Sequence, residues 1–206
     1  STAEPYSKSQ KAMAGRSLKN VCLSYLVTQE GGEALACAQY DSSDNMTDTL
    51  AALKGMIIEG FDCASEALAA FEGKWKDDAL VMDKWFAMQA IRPSHDTVNQ
   101  VRKLMDHPAF SIRNPNKVRS LIGAFSHANP TGFLAPDGAG IHFHAEQVIA
   151  LDAINPQIAA RMVSAFNRWK RYDEDRKSLM KAALKRIAAV PGLSPDTSEI
   201  VNSALK

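Results

Sequence analysis

The 206 residues carry 24 Lys and Arg against 23 Asp and Glu, a formal net charge of +1, with 46% hydrophobic and 23% charged side chains. These values exclude a disordered, collagen-like or low-complexity chain, and they exclude a strong whole-molecule field for nucleic acid or a membrane surface. The charge is nevertheless uneven, net −5 over residues 1–100 and net +6 over 101–206, as two complementary halves of one fold or a basic binding face would both produce.

The hydrophobic period is helical nearly everywhere, and no sustained alternation with β-branched enrichment predicts a sheet. The chain begins Ser1-Thr2-Ala3-Glu4-Pro5-Tyr6. No basic n-region or apolar h-region is present there, so no signal peptide is predicted, and residues 1–7 are expected to be flexible. Only a short helix is read near 8–10. Helices are then predicted over 33–40 and 45–59, where Met46, Leu50, Leu53 and Ile57 share a face. Asp62, Asp78 and Asp96 are candidate caps for helices over 63–72, 78–90 and 96–106. Asn114-Pro115, Asn129-Pro130, Asn155-Pro156 and Ser194-Pro195 each set a capping side chain before a proline, which loses nothing at the first helical position. They predict helices over 115–127, 156–171 and 195–205, with a start at 130. The glycine-rich stretch 131–140 reads as a loop, followed by a helix over 141–153. Over 174–189, Leu179, Ala183, Ile187 and Val190 fall on one face and Lys177, Lys181 and Lys185 on the other. About ten to twelve short helices with short connections predict an all-α fold: antiparallel pairs stacked into a curved α-solenoid-like single domain over 1–206. No clean repeat of about 34 or 40 residues is visible, so a regular repeat protein is not predicted. No apolar run reaches the length of about 18 residues that would predict a membrane span.

Catalytic chemistry is hard to place on this chain. Cys22, Cys37 and Cys63 sit among Val, Leu and Ala without a C-x-x-C and read as reduced packing residues of a cytosolic protein. The histidines are His95, His107, His127, His142 and His144. His142 and His144 point to different faces of a helix, and read as an exposed edge at a loop-to-helix junction. His142 and Glu146 could supply two metal ligands, but no third is identifiable. There is no H-E-x-x-H, no G-x-S-x-G and no phosphate loop. Arg168, Trp169, Lys170, Arg171 and Tyr172 mix cations with aromatics as single-strand binders do, but Asp173, Glu174 and Asp175 follow at once and would repel phosphates. No nucleic-acid partner is expected.

Two segments are more specific than a core requires. One is Asp83-Lys84-Trp85-Phe86 with Gln89. The other is NPNKVRSLIGAF, residues 114–125, in which Arg119 lies beside the apolar stripe. Such an arginine either packs its stem and sends its head to water, or points into a cavity awaiting an anion.

On these segments the chain resembles the C-terminal helical domain of bacterial zinc metalloaminopeptidases of the aminopeptidase N type, within the gluzincins. The matching residues are Asn45-Met46-Thr47-Asp48 with Leu50 to Leu53, Leu80 to Phe86 with Gln89-Ala90, and Asn114 to Phe125. They continue through Asn129-Pro130 with Phe133, Asp137-Gly138 with Gly140, Asn155-Pro156-Gln157 with Ala159 and Arg161, and Lys170 to Asp173. The resemblance covers nearly the whole chain. It implies a cytoplasmic peptidase that removes N-terminal residues from peptides. Its zinc would be held by an upstream catalytic domain through motifs absent here, so neither metal nor catalytic residues are expected in these residues. The domain would close over that upstream partner and wall a chamber that admits only short or unfolded peptides. Arg119 and Arg161 match arginines facing that cavity, where a guanidinium fork suits a peptide carboxylate. The rival expectation is a freestanding α-helical scaffold that grips another protein.

Overall fold

The computed structural model describes residues 6–206, and no strand occurs among them. The fold is all-α and solenoid-like, as the periodicity predicts. The expected flexible start at 1–7 falls partly on residues 1–5, outside the described residues. The chain divides after Asp77 into two compact units.

The first unit holds α1 (Gln10–Leu26), α2 (Gly32–Ser42), α3 (Met46–Glu59) and α4 (Ala64–Trp75). α3 is its centre, packed by α1, α2 and α4. Ala52, Leu53, Met56 and Phe71 are fully buried around it. Asn45 and Asp48 explain the N-M-T-D segment. Asn45 Oδ1 accepts from the Asp48 N–H at 3.0 Å, and Asn45 Nδ2 donates back to the Asp48 carboxylate at 3.1 Å. The same carboxylate takes Lys19 and, at 2.9 Å, Asn20 from α1. Those bonds hold the Asp48 carboxyl below the usual carboxylate range, although burial alone would raise it.

α1 runs 17 residues, where the sequence predicts only a turn near 8–10. Its inward side is Ala12, Arg16, Asn20 and Leu23. That face is half polar and bound by hydrogen bonds, so it leaves no apolar period to read. Apart from Leu23, the large apolar residues of α1 are exposed. Leu18 is 66% and Tyr25 73% exposed, with Val21 beside them. Cys22 is also exposed, which corrects its reading as a packing residue.

The second unit holds α5 (Ala79–Ala90), α6 (Thr97–Met105), α7 (Pro115–Val118), a π-helical turn (Arg119–Gly123), α8 (Ala124–Ala128) and α9 (Pro130–Phe133). It continues with α10 (Ala139–Asp152), α11 (Pro156–Met162), short 3-10 turns at Val163–Phe166 and Trp169–Arg171, α12 (Glu174–Ala188) and α13 (Pro195–Leu205). α5 packs on the π turn and α6, α10 on α11 and α12, and α13 on α11 and α12. All four predicted Asn-Pro and Ser-Pro starts are true caps. The side chains of Asn114, Asn129, Asn155 and Ser194 accept from the N–H groups of Asn116, Gly132, Ile158 and Thr197 at 2.9–3.2 Å.

Three expectations change here. The 131–140 loop contains α9, and its glycines serve packing. A methyl group on Gly140 would lie 2.5 Å from the Gly132 carbonyl oxygen, so only two bare backbones can cross there. The helix expected over 156–171 stops at Met162 and continues as 3-10 turns. His144 does not stand at an exposed edge but is fully buried.

Candidate functional site

The two predicted site arginines both lie in the second unit, Arg119 at the start of the π turn and Arg161 on α11. Asn114 starts α7. Lys117 then turns inward and Arg119, two residues on, turns outward, as a helix requires. Lys117 is 5% exposed. Its ammonium lies 2.8 Å from Asp83 Oδ1 and donates to the Ala79 carbonyl at 2.8 Å. The D-K-W-F and N-P-N-K segments, singled out separately in the sequence, are therefore the two halves of one buried ion pair.

Arg119 is exposed and donates to the Asn116 side-chain oxygen. It also begins the π turn, whose extra residue per turn is frequent at functional sites. Arg161 is exposed on α11 and lines a shallow depression of about 370 Å³ with Gln157, Asp196, Glu199 and Ile200. Neither guanidinium has an ion-pair partner within the described residues. Gly123 joins their elements: a methyl group there would touch Arg119 Cβ at 3.9 Å and Met162 Sδ at 4.0 Å. One turn further, His127 spans the seam between these two stretches of chain. Its Nδ1 lies 3.0 Å from the Gly123 carbonyl and its Nε2 3.1 Å from Ser164 Oγ. Sequence reasoning missed His127 and Ser164. The usable signal was the i, i+4 column Arg119, Gly123, His127.

Beneath the seam the support is rigid. His144 Nε2 donates to the Met162 carbonyl at 2.8 Å, inside an aromatic box in which Phe133 and Phe166 lie 5.6 and 5.4 Å from its ring. Its Nδ1 has no partner. Burial lowers its pKa to about 4, the Met162 carbonyl opposes that, and His127 adds to it. The ring is thus neutral at pH 7.

Asn129 is 1% exposed and its side chain satisfies three groups at once. It caps α9 through Gly132 and donates to the carbonyls of Ala90 and Arg92 at 2.9 and 2.6 Å. Replacing Asn129 with alanine removes the side-chain partner of the Gly132 N–H and the Ala90 carbonyl, while the Arg92 carbonyl keeps Thr97 Oγ1 and the Ser94 N–H, and is expected to cost about 1–3 kcal/mol. Urea unfolding of the variant checks it, and a loss under about 0.5 kcal/mol would mean the groups find other partners.

The metal expectation was tested on the donors. His142 could share an ion only with Glu146, which instead lies 3.0 Å from Arg102 and 3.7 Å from Arg186. No group of three His, Cys, Asp or Glu able to hold a metal occurs among the described residues, so these residues do not fit zinc. The basic-aromatic segment is also structural. Trp169 is buried, and its Nε1 donates to the Ala204 carbonyl at 2.8 Å. Asp173 caps α12 through the Arg176 N–H at 3.0 Å. No helix among the described residues is long and apolar enough to cross a membrane.

Comparison with known proteins agrees with the resemblance read from the motifs. The family described as "Domain of unknown function (DUF3458_C) ARM repeats" matches residues 1–206. The chain is 42% identical over 201 residues to a protein named aminopeptidase N from Haemophilus influenzae, covering 98% of this chain and 23% of that one. It is 39% identical over 202 residues to aminopeptidase N of Escherichia coli, covering 97% of this chain and 23% of that one. It superposes with a TM-score of 0.88 at 34% identity on the crystal structure of Legionella pneumophila aminopeptidase A in complex with aspartic acid, covering 98% of this chain and 25% of that one. The chain therefore spans about a quarter of the length of these relatives.

Proposed function

The chain belongs to the DUF3458_C family of ARM repeats, and from its likeness to the aminopeptidases above we propose that it acts as the C-terminal, non-catalytic domain of a cytoplasmic zinc-dependent aminopeptidase. Zinc and the hydrolytic groups belong, in this reading, to an upstream domain of the same polypeptide, and no catalytic step is assigned to residues here. The domain closes over that upstream part and limits access to short or unfolded peptides. The exposed Leu18, Val21 and Tyr25 of α1 are surface for the remainder of the polypeptide to cover.

One observation supports the reading: Arg119 and Arg161 are both exposed on neighbouring elements that meet at Gly123 and Met162, and neither guanidinium is in an ion pair. Exposed guanidinium groups without an ion-pair partner suit the carboxylate end of a peptide whose amino end is held elsewhere. A charge-assisted hydrogen bond of about 1.5 kcal/mol corresponds to roughly a tenfold change in binding. In the full-length enzyme, Arg119→Ala or Arg161→Ala is therefore expected to raise KM for tripeptides about tenfold. Single-residue chromogenic substrates, which have no distal carboxylate, should be little affected. Equal effects on both substrate types would refute the assignment.

A further inference from the structure

The first unit has a cleft of its own. It opens where the last turns of α2 and α4 meet the start of α3, and its volume is about 490 Å³, enough for a small organic group. The hydroxyl protons around it are already committed to the backbone. Tyr40 Oη donates to the Ala67 carbonyl at 2.8 Å, Ser43 Oγ to the Gln39 carbonyl at 2.5 Å and Thr49 Oγ1 to the Asn45 carbonyl at 2.9 Å. A hydroxyl has one proton, so these three groups keep only oxygen lone pairs for a ligand. Burial first, and the Asp41 carboxylate second, raise the pKa of Tyr40 above its ordinary 10, so its proton stays in place.

Two exposed carboxylates add to these acceptors. Asp41 has no ion-pair partner among the described residues, and Asp44 uses one oxygen on Asn45 Nδ2 at 2.9 Å. The C-terminal ends of α2 and α4 bring the negative ends of two helix dipoles to the same place. The positive end of α3 opposes them, but it is capped by Asn45 Oδ1, which accepts from the Asp48 N–H at 3.0 Å. Among the lining residues the one cation is Lys74, and its ammonium lies 5.3 Å from the centre of the Trp75 ring. A lysine of the chain itself thus already uses that ring as a cation–π surface.

We propose that this cleft binds the ammonium group of an aliphatic amine, its stem along Met46 and Trp75 and its charge at Asp41 and Asp44. The lysine side chain of a peptide and a free diamine share that chemistry. Uncharged or acidic groups gain nothing from oxygens whose protons point elsewhere. The cleft lies wholly within the first unit and does not depend on the peptidase reading.

The test is heteronuclear NMR of the full chain, following the indole N–H of Trp75, assigned by its loss in Trp75→Phe. The probes are acetyl-lysine amide, its uncharged counterpart acetyl-norleucine amide, acetyl-glutamate amide and cadaverine. The two amines are expected to shift the Trp75 resonance saturably, and the tighter of them identifies the source as a peptide side chain or a free diamine. The norleucine and glutamate amides should leave it in place. Asp41→Asn with Asp44→Asn is expected to weaken amine binding about tenfold or more, while unmoved indole resonances of Trp85 and Trp169 report an intact fold. Lys74→Met, which clears the Trp75 ring and removes the competing charge, should tighten binding several-fold. No saturable shift with either amine would overturn the proposal, as would an equal shift with the norleucine or glutamate amide, or unchanged affinity in the double variant.

Discussion

Replacing Lys117 with alanine is expected to lower the unfolding free energy by about 3–5 kcal/mol, the range for removing one partner of a buried ion pair. The lysine side chain is 7% exposed and that of Asp83 19%, so water replaces the lost partner only in part. The ammonium also lies 5.5 Å from the centroid of the Phe86 ring and holds the Ala79 carbonyl at the start of α5. Alanine therefore abandons a carboxylate, a carbonyl and an aromatic face together. Urea unfolding followed by the emission of Trp85 and Trp169, both within 78–206, reads the loss. Pairing Lys117→Met with Asp83→Leu should restore most of it, because both charges then leave the interior together. A loss under about 1 kcal/mol in the single variant would class the pair with screened surface contacts instead.

The second large effect is a pH dependence. As pH falls from about 6.5 to about 4, His144 is expected to withdraw about 3 kcal/mol of stability. The unfolded chain binds a proton on this ring near its ordinary 6.5, whereas the folded chain resists until about 4. The unfolded state therefore holds more protons between those values, and stability falls as pH falls through the window. Above 6.5 the contribution is complete, and below 4 it changes no further. The carboxyls of Asp48 and Asp152, held below 3.8 by their hydrogen bonds, lose their stabilisation at lower pH, so the two ranges separate. Urea midpoints for the wild-type chain and His144→Phe from pH 8 to 4 provide the measurement. The wild type should fall relative to the variant by the amount above, and parallel curves would show that the ring does not titrate this way.

Much of the second unit was legible because four of its helices, α7, α9, α11 and α13, begin with Asn-Pro or Ser-Pro, a cap written in two adjacent residues. What stayed illegible was set by long-range contacts. The inward face of α1 is polar and finds its partner in Asp48, 28 residues on from Asn20. The break after Met162 has no glycine or proline to announce it. It accompanies a Ser164 hydroxyl donating to the Arg161 carbonyl at 2.6 Å and Trp169 reaching the far end of α13. Arg119 and Arg161 were singled out through motif resemblance, and only the packing at Gly123 shows that the elements carrying them, the π turn and α11, are neighbours. His144 was misread because a lone histidine beside a glycine loop looks exposed, and only the Phe133, Phe166 and Met162 contacts bury it.

The π turn at Arg119–Gly123 acts as a phase shifter. An α-helix advances about 100° per residue, so one residue more or fewer in this turn rotates everything downstream by more than a quarter revolution. The capping bonds of Asn129 to Ala90 and Arg92 and the bridge from His127 to Ser164 lie in that rotated stretch. Upstream, Lys117 is locked to Asp83. The turn is thus a gear between two fixed anchors, and its length, more than the identity of its side chains, keeps them in mesh. A single-residue deletion in it would throw one anchor out of register.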